Sequence, residues 1–400
     1  CVSALLDRGA AIDHAGHDGS TALMLASQNG HTACVSALLD RGAAIDHADE
    51  DGSTALMVAS LNGHTACVSA VLEAGAAVNH ADKGGTTALM LASSCGQLAC
   101  LSALLEHGAA VNQADRPGFT ALIAACMDGH TACALALLER GADVNHAWRS
   151  GGTALMFASQ YGHAACVEAL LERGAEVNQA RSLDRCTALI LASRSRHPVC
   201  VSALLAHGAD VELRMITGQG ALSCACGVSM NLRVVQLLCA HCASAGLEHT
   251  DQHSRASLAH THEAWFGANP NPVADWLRRV ERWTTRLHYV ELLTEAEVLA
   301  ALRDGADVHA GDGQAGAPTP LSIAREQLME RPEHAGAALV AAAAGPWSRE
   351  THRLFPAGPR AWAVDLLILG HLMAAQFARG REEAWVDVWL DHVLPFAIER

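Results

Sequence analysis

Four cysteines are spaced as a metal site would be. Cys224 and Cys226 form a CxC pair, and Cys239 and Cys242 form a CxxC pair 12 residues further on. Four thiolates can hold zinc tetrahedrally. Residues two apart on a helix, however, point about 200° from one another, which is poor geometry for shared ligation by the first pair. Ordinary packing is the expectation, and no metal is assigned. Histidines number 23, but their spacing is that of a repeat. His31, His64, His130 and His163 share one register, and His14, His47, His80 and His146 share another. One histidine per repeat suits hydrogen bonding in turns, not a metal cluster. His249, His253, His260 and His262 gather in one segment, yet Glu263 has no second histidine at the HExxH place.

Other chemistry fares no better. No GxGxxG, Walker loop, GxSxG elbow or kinase motif set occurs. Lys83 is the only lysine, so Schiff-base or phosphate-binding lysine chemistry has one candidate. Acid–base catalysis needs carboxylates in a cleft with perturbed environments. Asp46, Asp49, Asp82 and Asp115 instead recur in turns. The chain is read as not an enzyme, with no catalytic residue and no cofactor assigned.

The elements that carry these residues repeat. Thr-Ala-Leu starts at Thr21, Thr54, Thr87, Thr120, Thr153 and Thr187, at spacings of 33, 33, 33, 33 and 34. Gly9, Gly42, Gly75, Gly108, Gly141, Gly174 and Gly208 follow the same period. Such a period marks a solenoid. In the unit 18–50, Asp18, Gly19 and Ser20 form a turn and Thr21 caps a short helix, Ala22 to Gln28. Ala22, Leu23, Leu25 and Ala26 are expected to face inward. Asn29 and Gly30 end that helix, and a second runs from His31 and Thr32 to about Arg41, with Cys34, Ala37, Leu38 and Leu39 on its apolar side. Helices this short are unstable alone and must stack on neighbouring units.

The units resemble ankyrin repeats. The matching residues are Thr21-Ala22-Leu23, Gly30-His31, Leu38-Leu39 and Gly42-Ala43, with their counterparts in later units. The resemblance covers more than half of the chain and implies an all-α solenoid of a turn plus two antiparallel helices per repeat. The family usually has Pro after the Thr and His after the Leu. Ala22 and Met24 stand there instead, as do Ala55 and Met57, Ala88 and Met90, and Ala154 and Met156. Only Thr319-Pro320-Leu321 keeps the proline. The resemblance also implies that Asn79, Asn112, Asn145 and Asn178 occupy an exit-loop place that an asparagine hydroxylase can modify, although a loop-stabilising hydrogen bond is the simpler role.

The expected organisation is an ankyrin array over 1–249 with a truncated first repeat, an irregular or degenerate segment over 250–282, divergent repeats over 283–345, and a helical C-terminal cap or docking segment over 346–400. The chain opens at Cys1 inside a unit, so a longer protein is expected. The last segment holds Trp347, Trp362, Trp385 and Trp389. Its position resembles that of the helical box after the repeats of ubiquitin-ligase adaptors, without that box's cysteine and proline pattern.

The chain has a formal net charge of -15 over 400 residues and 4% aromatics. That charge does not suit a phosphate backbone or an anionic membrane, and no run is apolar enough for a transmembrane helix. Cys1, Cys34, Cys67, Cys100, Cys133, Cys166 and Cys200 share one register on the inner side of the second helices. As free, buried thiols they imply a reducing compartment, so an intracellular, cytoplasmic location is expected. What remains is a binding surface. Phe119, Met127, Trp148, Phe157 and Tyr161 are the bulky concentration of the regular array, and they are the protein-binding candidates. The acidic turns suggest a basic partner segment. A non-catalytic interaction scaffold is the first reading. A substrate adaptor that recruits an enzyme complex, such as a ubiquitin ligase, through the C-terminal helices is the second. The binding portion of a larger enzyme whose N-terminal part is missing is the third.

Overall fold

The computed structural model describes residues 2–226, 231–244, 273, 276, 289–303, 306–310 and 318–344. The proposed cap over 346–400 lies outside them, as does nearly all of 250–282. Two compact units divide between Val234 and Val235.

In the first unit the helices come in pairs. They are α2 (Ala22–Gln28) with α3 (Thr32–Asp40), α4 (Ala55–Leu61) with α5 (Thr65–Glu73), and α6 (Ala88–Ser94) with α7 (Leu98–Glu106). The pairs continue as α8 (Ala121–Met127) with α9 (Thr131–Glu139), α10 (Ala154–Tyr161) with α11 (Ala164–Glu172), and α12 (Ala188–Arg194) with α13 (Pro198–Ala206). Before them lies α1 (Val2–Leu6), and after them α14 (Ala221–Cys224), with the division between units falling within α15 (Leu232–Ser244). First helices stack on first helices and second on second, so the unit is an all-α solenoid of short paired helices. No strand occurs among the described residues. Single antiparallel bridges, such as Ala81 with Thr87 and Ala114 with Thr120, close the bases of the turns.

The register threonines start the first helices. The hydroxyls of Thr21, Thr87, Thr120, Thr153 and Thr187 each accept the backbone N–H three residues on, at 3.4 Å. Gly220 stands in that register before α14 and has no hydroxyl to offer, and α14 is only 4 residues long. The helix-ending glycine of the second helices is replaced by His241 in α15. Lacking that left-handed stop, α15 runs for 13 residues where its counterparts run for 9.

One inward face differs from expectation. In α2 the buried residues are Leu23, Met24, Ala26 and Ser27, while Ala22 is exposed and Leu25 is 50% exposed, against the inward expectation for both. In a two-turn helix whose phase is set by its cap, positions i, i+1, i+3 and i+4 form one face, and that face excludes Leu25. The methionines that depart from the family pattern are therefore core residues. Met57 and Met156 are 1% and 2% exposed, and Ile123 and Ile190 take the same place in their repeats.

In the second unit, the helix Ala335–Ala343 packs against both Glu295–Arg303 and Pro320–Glu330. Thr294 and Glu297 form a reciprocal cap on the first of these, as do Thr319 and Ser322 on the helix beginning at Pro320. Val298, Leu302, Ile323, Ala324 and Val340 fill the interior. The Glu291 carboxylate accepts from the Trp276 indole N–H and from the buried Gln327 amide, each at 3.3 Å.

Candidate protein-interaction face

Three kinds of cross-repeat bond fix the turns. Successive turns are linked through backbone, as in Lys83 N–H to the Asp51 carbonyl at 3.0 Å and Arg149 N–H to the Pro117 carbonyl at 3.0 Å. The exit-loop histidines reach the preceding turn, with His80 Nε2 at 3.0 Å from the Gly52 carbonyl and His146 Nε2 at 3.0 Å from that of Gly118. The other histidine register reaches the end of the preceding first helix, with His64, His130, His163 and His197 bonded to the carbonyls of Gln28, Ser94, Met127 and Gln160. From His47 onward, both histidine series serve cross-repeat hydrogen bonding, as their register implies.

The exit-loop asparagines bond in two directions. Asn112 Oδ1 accepts the Asp143 N–H at 2.8 Å and Asn112 Nδ2 donates to the Gly141 carbonyl at 3.1 Å. Asn79, Asn145 and Asn178 repeat both bonds. Asp13 and Asp46, in the same register, accept the N–H of Ala44 and Ala77.

Inside three successive turns an aspartate holds the backbone. Asp49 Oδ1 accepts from Asp51 and Ser53 N–H, Asp82 Oδ1 from Gly84 and Thr86, and Asp115 Oδ1 from Gly118 and Phe119. These turns crowd one another. A Cβ on Gly85, whose φ is +91°, would lie 2.9 Å from the Asp115 Cα, so the backbone path there requires glycine.

The next residue in the aspartate series is Trp148, which has no acceptor to offer. Its ring instead meets Phe119 at 4.8 Å, edge to face, and Phe157 at 6.0 Å, and those two are 5.4 Å apart. The indole Nε1 is buried without a hydrogen-bond partner. It lies over Gly152, where a Cβ would come within 2.6 Å of it. Three of the five candidates therefore form one aromatic cluster. Met127 and Tyr161 belong to a second place, the ends of α8 and α10, linked through His163. The His163 ring is 6.5 Å from that of Tyr161 and bonds the Met127 carbonyl. Tyr161 is 49% exposed.

Beside the cluster is an open cleft of about 530 Å³, lined by Pro117, Trp148, Arg149, Ser150, Ser182 and Leu183. Its far wall is the turn carrying the one-residue expansion. There the Ser182 hydroxyl donates to the Ser150 carbonyl at 2.9 Å, and Leu183 is left 74% exposed. Arg181 pairs with Asp184. The guanidinium holds the Asp184 carboxyl below its usual range, and the carboxylate raises the Arg181 pKa in turn. Leu183 is absent from the sequence-based candidates because an insertion has no register from which to predict its direction. Two other features are legible in the register itself. Arg185 replaces the turn glycine and Arg196 the helix-ending glycine, and both keep the glycine's left-handed backbone, at φ 59° and 68°.

The cysteine register is interior from Cys67 onward, while Cys34 is half-buried and Cys1 lies outside the described residues. Cys67, Cys100, Cys133, Cys166 and Cys200 are at most 1% exposed. Burial pushes up the thiols of Cys100, Cys133 and Cys200, the last to about 11. Cys126 falls in a register held by serine at Ser27, Ser60, Ser93, Ser159 and Ser193. Its thiol hydrogen bond to Cys166, together with burial, raises its own pKa well above the usual value, and the same bond brings Cys166 down to about 7. Cys224, Cys226 and Cys239 are buried, and the Cys242 side chain lies outside the described residues. Among the described residues no group of three or more His, Cys, Asp or Glu is placed to hold a metal ion, and no helix is long and apolar enough to cross a membrane.

A family model described as "Ankyrin repeats (3 copies)" matches residues 1–82, 41–115, 74–147, 111–181 and 155–253. The crystal structure of the human ASB11 ankyrin repeat domain is similar, with 31% sequence identity and a TM-score of 0.51, over 56% of this chain and 98% of that one. No curated protein matches the chain.

Proposed function

The chain belongs to the ankyrin-repeat family, and we propose that this non-catalytic interaction module works by rigid display of its turns and first helices to a protein partner. The observation that carries the reading is the cross-repeat bonding of the turns through backbone, histidine and asparagine. A surface ordered before binding loses little conformational entropy when a partner arrives. The contact is proposed across 117–183, with Phe119, Trp148 and Phe157 at the turn end and Met127 and Tyr161 at the helix end. Asp49, Glu50 and Asp51 would favour a basic stretch of the partner at the earlier turns. A cytoplasmic location belongs to the same proposal and rests on the buried free thiols.

The test is affinity capture from source cells with mass-spectrometric readout, using the full chain and the double variant Met127→Ala, Tyr161→Ala. Partners lost from the variant, with its melting unchanged, support a contact on this face. Partners retained by this variant and by variants of the aromatic cluster refute it. The adaptor reading is favoured by one observation, the four tryptophans of 346–400. It predicts that Trp385→Ala removes an enzyme complex from the capture while the other partners stay.

A further inference from the structure

Charge along the turns changes sign. Residues 46–62 hold Asp46, Asp49, Glu50 and Asp51 and no Arg or Lys. Residues 147–163 and 180–196 hold Arg149, Arg181, Arg185, Arg194 and Arg196 against a single acid, Asp184. Arg181 is paired with that aspartate, and Arg194 also acts on it electrostatically. Arg149, Arg185 and Arg196 are exposed. A basic partner segment, suited to the early turns, does not suit this end of the face.

Local stability does not explain the residues found here. Trp148 takes the place of an aspartate that in three preceding turns accepts two backbone N–H groups. Arg185 and Arg196 take the places of glycines in the left-handed region, where a side chain is strained. Leu183 exposes most of its surface beside the indole. Trp148 and Leu183 line one cleft, and Arg185 lies two residues from Leu183 in the same turn, whereas Arg196 follows the other end of α12. Departures from local preference gathered at one turn are the pattern of a binding site.

We infer that the cleft walled by Trp148 and Leu183 takes an acidic peptide segment, with one apolar side chain seated between them and its flanking carboxylates on Arg149 and Arg185. Arginine pairs with carboxylate in a bidentate fork, and an indole wall is a strong anchor for an apolar side chain. The net charge of -15 disfavours a long polyanion such as nucleic acid, whereas a short acidic segment meets the local arginines first. This deepens the proposed display function and rests on it.

The test is selection of a random 12-residue peptide library on the full chain, followed by binding isotherms of the enriched peptides to variants. The inference expects Asp and Glu around one central apolar residue, affinity reduced at least 10-fold by Arg149→Glu and by Leu183→Asp, and a larger loss with Trp148→Ala. Arg149 and Leu183 are exposed, so their variants test the cleft even if Trp148→Ala disturbs the fold. Enrichment of basic peptides, absence of enrichment, indifference to Arg149→Glu and Leu183→Asp, or displacement of the peptide by a single-stranded oligonucleotide overturns it. Cellular partners lost with Met127→Ala, Tyr161→Ala but not with the cleft variants leave the display reading standing and remove only this one. Partners indifferent to both sets remove the display reading itself.

Discussion

Asparagine and aspartate differ by one donor, and the exit loops use it. Asn79, Asn112, Asn145 and Asn178 each close two bonds to the next repeat, whereas a carboxylate in that register has no N–H for the following glycine carbonyl. Asp46→Asn should therefore add a bond to the Gly75 carbonyl and raise stability by about 0.5–1.5 kcal/mol, and Asn112→Asp should lower it by a similar amount. Urea midpoints of the two variants check this, and a fall with Asp46→Asn would contradict it. The left-handed arginines make a second test. Arg185→Gly should stabilise by about 1–3 kcal/mol through relief of backbone strain, while weakening acidic-peptide binding. Gain of stability without loss of binding would leave the strain unconnected with the cleft. The glycine-to-arginine changes can be read in the sequence by register alone. The meeting of Trp148 with Phe119 and Phe157 cannot, because 29 and 9 residues of separation correspond to no single helical or turn period.

At the scale of elements, the capped helix pairs were legible because threonine, glycine and leucine recur together. The phase of α2 was not. Over seven residues, Leu25 and Met24 are equally apolar, so hydrophobicity alone does not choose between them, and the phase set at the Thr21 cap turns Met24 inward. The second helices make a testable case of access against reactivity. Cys166 has a pKa of about 7, which alone would make it a ready nucleophile. It is also 0% exposed, like Cys67 and Cys200, whereas Cys95 is exposed at the end of α6. A reagent needs contact before thiolate fraction matters, so burial should win. Site-resolved alkylation of the native protein at pH 7.4 should modify Cys95 well before Cys166, with Cys166 following only on unfolding. Early labelling of Cys166 would mean that α8 and α11 open locally on the timescale of the reaction.

At the scale of the molecule, the first compact unit is built by neighbour contacts, so its stability should vary with position. Interior repeats have an interface on each side, and terminal ones have fewer. α1 buries no residue and leaves Leu5 61% exposed, while Cys133, Ala134 and Leu137 of α9 are all but inaccessible. Their contacts come from both adjacent second helices. The period announced this architecture from composition alone, because each repeat carries the same small set of core residues. The expectation that the array runs to 249 rests on the same register. The missing glycine at His241 lengthens α15, and the division between compact units falls within that helix. Native-state hydrogen exchange of residues 1–400 alone should therefore show protection lowest in α1, rising through α2 to α5, and greatest across α8 to α11. Low urea should remove the protection of α1 to α3 first, with little change at α9. Uniform exchange of α1 to α13 at a single opening free energy would contradict this order. It would mean that the histidine, asparagine and backbone bonds couple the repeats so strongly that the array opens only as a whole.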